Sequence, residues 1–102
     1  MRFLVIQTPK YPLPLEEIPG LLAAERDWYD RNREHLEAYG WFADAGGFGL
    51  VDVPDAETLS RLSREHPFAR SADIQMRAVV DADVAVQQVR TLLEQQGVSA
   101  AV

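Results

Sequence analysis

Two successive glycines, Gly46 and Gly47, separate two short runs rich in aromatic and apolar residues, Trp41 to Ala45 and Phe48 to Val53. Glycine takes positive φ without a Cβ penalty, so a two-residue glycine link between such runs predicts a β-hairpin. An antiparallel pair in mid-chain limits how every other segment can be arranged. Upstream, Arg2 to Thr8 is β-branched and aromatic and reads as a strand, which Pro9, Pro12 and Pro14 end in an extended loop. From about Glu16 to Tyr39, the residues Ile18, Leu21, Leu22, Trp28, Tyr29, Leu36 and Tyr39 recur at helical steps. This predicts a helix with one buried face, regular after Pro19-Gly20 and stopped by Gly40. Downstream, Asp55 caps a second helix that turns Leu59 and Leu62 to the core and ends near His66-Pro67. Ile74, Met76, Ala78 and Val80 then alternate with Asp73, Gln75, Arg77 and Val79 as a strand does. Asp81 or Asp83 caps a last helix striped by Val86, Val89, Leu92 and Leu93, and Gly97 ends it.

The order βαββαβ plus one C-terminal helix predicts an α+β, ferredoxin-like domain, with helices on one face of an antiparallel sheet. A chain of 102 residues, 47% hydrophobic and 25% charged, suits one globular domain over residues 1–102 with one core. The other sheet face is left bare, and covering it predicts a homodimer or higher homo-oligomer, with Ile74, Met76 and Ala78 as apolar material for either side. A formal charge of -6, with the cations scattered among acids, predicts no nucleic-acid partner. Apolar runs such as Phe3 to Ile6 fall far short of the roughly 20 residues of a membrane span, and the N-terminus lacks a signal-peptide apolar region. The expected location is cytoplasmic. Without cysteine there is no disulfide, thiolate metal site or cysteine nucleophile. His35 and His66 show no metal-ligand spacing, and Ser60, Ser63 and Ser71 have no adjacent histidine and acid. Gly46, Gly47 and Gly49 read as a turn rather than a phosphate loop, since no strand-to-helix junction holds them.

Three segments carry a family resemblance. They are Arg2-Phe3-Leu4-Val5-Ile6, the hairpin stretch Phe42-Ala43-Asp44-Ala45-Gly46-Gly47-Phe48-Gly49-Leu50-Val51-Asp52-Val53, and His66-Pro67-Phe68 leading to Asp73-Ile74-Gln75-Met76. With Pro54-Asp55-Ala56-Glu57-Thr58-Leu59 after the hairpin, they resemble the muconolactone isomerase-like and YciI-like proteins of the dimeric α+β barrel superfamily. The resemblance covers most of the chain up to about residue 81. The last helix, from about Asp83 to Gln96, matches loosely, and the loop at Tyr11 to Leu15 differs in length among relatives. The resemblance implies a dimeric α+β barrel and chemistry without a cofactor. Such relatives include isomerases that move a proton within an unsaturated lactone, and biosynthetic proteins that cyclise or oxidise polyketide-like compounds.

Glu25 is the expected catalytic residue. On a helical wheel it falls among Leu21, Leu22, Trp28 and Tyr29, where burial against rings suits a carboxyl to general acid-base work. It also lies where the first helix of the isomerase-like relatives carries a glutamate. The alternative is a boundary residue paired with Arg26. Tyr29 and Asn32, about a turn further along, are candidate donors to a substrate oxygen that becomes negative. Trp28 is either core or a stacking surface for a flat ring, whereas Trp41 opens a strand and reads as remote from the site. His35 reads as a solvated group at the helix end. His66 is a rim or capping residue, and in the relatives the segment matching His66-Pro67-Phe68 shapes one end of the cavity, which adds Phe68. Arg77 either anchors a substrate carboxylate or joins a charge ladder with Asp73 and Gln75. The expected function is a cofactor-independent isomerase or cyclase acting on an unsaturated lactone or polyketide-like small molecule. A cofactorless monooxygenase and a noncatalytic ligand-binding protein are the alternatives.

Overall fold

The computed structural model describes residues 1–99. Strand β1 (Arg2–Pro9) leads through a short 3₁₀ turn at Leu15–Glu17 to helix α1 (Ile18–Asn32). After a second 3₁₀ turn at Arg33–His35 come β2 (Leu36–Trp41), β3 (Gly47–Asp52), helix α2 (Ala56–Glu65), β4 (Ala72–Val79) and helix α3 (Ala82–Gln95). The four strands form one antiparallel sheet in the order β2-β3-β1-β4. This is the expected ferredoxin-like α+β arrangement with an extra C-terminal helix.

The first helix is shorter than its periodicity predicts, and this corrects the reading of Glu16 to Tyr39. Asn32 leaves the helical region at φ -116° and ψ 13°, and Leu36 to Tyr39 belong to a strand. Leu36, Tyr39 and Trp41 turn toward the helices from β2, with a register shift between Leu36 and Ala38. Their spacing after the bulge mimics a helical step. Gly40 is a packing position rather than a helix stop, because a Cβ there would lie 2.9 Å from the Phe48 ring across the sheet.

The predicted hairpin forms, but its first strand ends at Trp41, four residues before Ala45. Trp41 closes β2 instead of opening a strand, Phe42 to Gly46 make the turn, and the Phe42 N–H donates to the Gly46 carbonyl at 2.9 Å. Gly46 has φ +83°, while Gly47 lies in β3 opposite Trp41. A Cβ on Gly46 would meet the Gln7 carbonyl oxygen at 2.2 Å, so this turn presses directly on the β1 backbone.

Trp28, Val51, Val53, Leu59 and Leu62 form the buried core between the sheet and α1 and α2, with Phe3, Val5, Tyr29, Leu36 and Tyr39 packed around them. Asp55 caps α2 by accepting from the Thr58 N–H at 2.8 Å, as its position predicts. The register places Ile74, Met76 and Ala78 beside Gln7, Val5 and Phe3, on the helix side of the sheet. The apolar part of the opposite face comes instead from Leu4, Ile6, Phe48 and Leu50, where Leu4 pairs with Leu50 and Ile6 with Phe48. Helix α3 buries no residue, and Val84, Val86, Val89 and Leu92 are all exposed. No helix among the described residues is long and apolar enough to cross a membrane.

Candidate functional site

A cavity of about 820 Å³ opens between the helix side of the sheet and the two core helices. Val5, Gly47, Gly49 and Val51 form its floor, and Trp28, Leu59, Leu62 and Ser63 line it from α1 and α2. The extended loop at Lys10 to Leu13 and the hairpin turn at Phe42 to Gly46 also line it. Glycine at position 49 leaves room, since a Cβ there would have no neighbour closer than 3.9 Å.

Glu25, Trp28 and Asn32 follow one another at steps of three and four on α1, and these are the helix's buried residues. Glu25 lines the cavity at 7% exposure. Its Oε1 accepts a short hydrogen bond from the Tyr39 hydroxyl and a second from the Trp41 indole N–H at 3.0 Å. Oε2 takes no hydrogen bond from the protein, yet no buried polar side-chain atom among the described residues lacks a partner. That oxygen therefore reaches open space. Arg26 pairs with Asp30 at 3.4 Å, so the ion-pair alternative for Glu25 is not the one the fold adopts.

His66 continues the network. Its Nδ1 accepts from the Phe68 backbone N–H at 3.2 Å, and because an amide N–H can only donate, the proton of the neutral ring sits on Nε2. Nε2 stands 3.3 Å from the Tyr39 hydroxyl, so the hydrogen bonds run from His66 to Tyr39 to Glu25. The His66 ring packs edge-on against Trp28 at 4.6 Å between centroids, and the Trp28 indole donates to the Leu62 carbonyl at 3.1 Å. Burial holds the His66 imidazole below its ordinary range against an opposite pull from the Glu25 charge, which favours the neutral form. Burial raises the Tyr39 phenol far above its ordinary value, helped by its hydrogen bond to Glu25 and by that charge, so Tyr39 keeps its proton.

Of the residues singled out from sequence, Glu25, Trp28, His66 and Phe68 line this cavity together. Tyr29, Asn32 and Arg77 do not. Tyr29 stacks on the outer side of Tyr39 at 5.2 Å between centroids, with the Arg33 guanidinium 5.1 Å over its ring. Asn32 donates to the Trp28 carbonyl of its own helix at 2.9 Å. Arg77 pairs with Leu4 on the sheet face away from the cavity. His35 lies against the Asp52 carbonyl at 3.3 Å rather than in solvent alone. Sequence reasoning missed Tyr39 and Trp41. Their alternation around Gly40 is the available signal, and the helical step from Leu36 to Tyr39 masks it. Among the described residues, no three His, Asp or Glu side chains converge as metal ligands.

No protein-family model matches the chain, and no curated protein matches it. Among solved structures it is similar to muconolactone isomerase, with a TM-score of 0.68 and 24% identity over 79% of this chain and 90% of that one. It is also similar to 5-chloro-2-hydroxyhydroquinone dehydrochlorinase from Burkholderia phenoliruptrix AC1100, solved in complex with 2,5-dihydroxybenzoquinone. That match has a TM-score of 0.68 and 14% identity over 82% of this chain and 98% of that one. The two matches extend over most of each chain, and this chain shares their fold, a ferredoxin-like α+β arrangement.

Proposed function

We propose that this protein is a cofactor-independent small-molecule enzyme of the isomerase or cyclase type, with Glu25 as its proton shuttle. The observation that carries this reading is the division of labour within one carboxylate. Oε1 is held by Tyr39 and Trp41, while Oε2 is unbonded on a side chain that lines a cavity. A base needs a fixed position and a free lone pair, and this arrangement supplies both. Oε2 takes a proton from an acidic C–H of a bound unsaturated ring, the electron pair moves onto the ring's carbonyl oxygen, and the Glu25 carboxyl, whose proton exchanges with solvent through the open cavity, then protonates a different carbon. The Tyr39 and Trp41 donors support the carboxylate before abstraction, and the proton held on Tyr39 keeps the phenol from competing for the substrate's proton. The two solved neighbours, an isomerase and a dehydrochlorinase, act on small molecules, which agrees with this reading.

The test is deuterium wash-in from D2O at the ring carbons of a butenolide such as α-angelica lactone, followed by NMR. Exchange catalysed by the native protein and lost in Glu25→Gln is the expected result. Exchange unaffected by that change removes Glu25 from the chemistry. Oxygen uptake with an electron-rich phenol would favour a monooxygenase, and ligand binding with neither activity would favour a binder.

We also propose that two copies pair at least as a homodimer. Two apolar surfaces support this: the Leu4, Ile6, Phe48 and Leu50 face of the sheet, and the exposed valine and leucine stripe of α3.

A further inference from the structure

We propose that the cavity selects an uncharged, flat, oxygenated ring and rejects the same ring bearing a carboxylate. The inference deepens the proposed function and rests on its placing of the substrate against Glu25. Among the described residues, the charged side chains lining the cavity are Glu25, Asp44 and Lys10. The buried one is the carboxylate, whereas Lys10 is exposed in the entrance loop, with Asp44 also lining the cavity from the hairpin turn. A carboxylate brought to Oε2 would place two negative charges together at low dielectric, with no buried cation to offset them.

The arginines lie elsewhere. Arg2 is tied to Glu37 at 2.7 Å and to Asp81 at 2.6 Å, and Arg77 lies on the far sheet face. Burial disfavours the charged form of His66. Helix N-termini offer no substitute for a cation. Asp55 occupies that of α2, while α1 begins after Glu16 and Glu17 and carries Pro19, which lacks an N–H, in its first turn.

What remains free in the cavity is neutral. Gln7 and Ser63 line it with side-chain groups that no protein partner engages, and an amide and a hydroxyl match keto and hydroxyl oxygens. Flatness follows from the walls, where Trp28, Trp41 and Phe68 present rings beside the glycine floor.

The test compares coumarin-3-carboxamide with coumarin-3-carboxylate, a pair alike in shape and different in charge, by isothermal titration calorimetry at pH 7.5. The carboxamide should bind at least about tenfold tighter to the native protein. Glu25→Gln should narrow that gap by strengthening carboxylate binding, and Lys10→Ala should leave it unchanged. A carboxylate that binds as tightly as the carboxamide overturns the proposal, as does a preference for the carboxylate lost in Lys10→Ala. Absence of binding by either compound at millimolar concentration overturns it too. The native comparison does not depend on either variant folding. Because binding is read without turnover, loss of the charge preference leaves the proton-shuttle reading standing, and failure of deuterium exchange leaves the preference standing.

Discussion

A carboxylate on the buried stripe of a helix is costly unless donors replace the water it loses, and Tyr39 and Trp41 are those donors for Glu25. Glu25→Gln keeps the shape but cannot accept a proton, so turnover should fall by about 10² to 10⁴ while circular dichroism stays native. Tyr39→Phe should lower turnover less, because Trp41 still holds Oε1. A Tyr39→Phe variant that loses as much as Glu25→Gln would make the phenol itself the reacting group. His66 gives a stability signature instead. Its folded-state affinity for protons is below the unfolded one, so between the two values the unfolded chain binds more protons. Its contribution is complete above the unfolded value near about 6.5 and is lost as pH falls below it. The urea midpoint should therefore drop between pH 7.5 and pH 5, and His66→Gln, which does not titrate, should flatten that drop. An identical drop in the variant would assign it to other groups. Glu25 was legible at this scale because its four neighbours on the helical wheel, Leu21, Leu22, Trp28 and Tyr29, are apolar or aromatic. Its two donors were not legible, since the strand that carries them is fixed by pairing with β3, a nonlocal contact.

Elements built on local rules were read well. The Asp55 cap, the proline-bounded first strand and the alternating fourth strand appear where their residues place them. The second strand is ambiguous in sequence because Leu36 and Tyr39 fit two periods, and only packing against β3 decides between them. The same pairing brings Trp41 into the site. Quenching by a flat ligand should accordingly fall in Trp41→Phe as well as in Trp28→Phe, and a Trp41→Phe variant with undiminished quenching would put the ligand deeper, against Trp28 alone. The glycines of the hairpin separate two roles. Gly46→Ala forces a side chain into positive φ against the Gln7 carbonyl and should cost about 1 to 3 kcal/mol in urea unfolding. Gly49→Val has ordinary space and a better strand former, so its thermal midpoint should hold or rise while ligand affinity falls, because the new methyls occupy the cavity. Unchanged affinity in that variant would move the ligand off the floor formed by β3.

At the scale of the molecule, the unpartnered surfaces make assembly the expectation. Sedimentation equilibrium at micromolar concentration should return at least twice the 11.5 kDa of one chain. Ending the chain after Asp81 should preserve the sheet, to which α3 adds no buried residue, and should lower the assembled mass if the stripe is an interface. A native mass of one chain would refute the pairing. The sequence announced the bare sheet face through the count and order of its elements. It did not announce that α3 stands away from the core, since a striped helix looks the same whether its partner is its own sheet or another copy's.

That outstretched helix also affects how the mass should be weighed. The chain measures 62 × 28 × 19 Å with a radius of gyration of 18.0 Å, against about 13 Å for a rounded chain of this size. An elongated particle meets more drag than a sphere of equal mass and leaves a gel-filtration column early. Elution volume would credit a single copy with extra mass, so light scattering, which is blind to friction, is the appropriate balance.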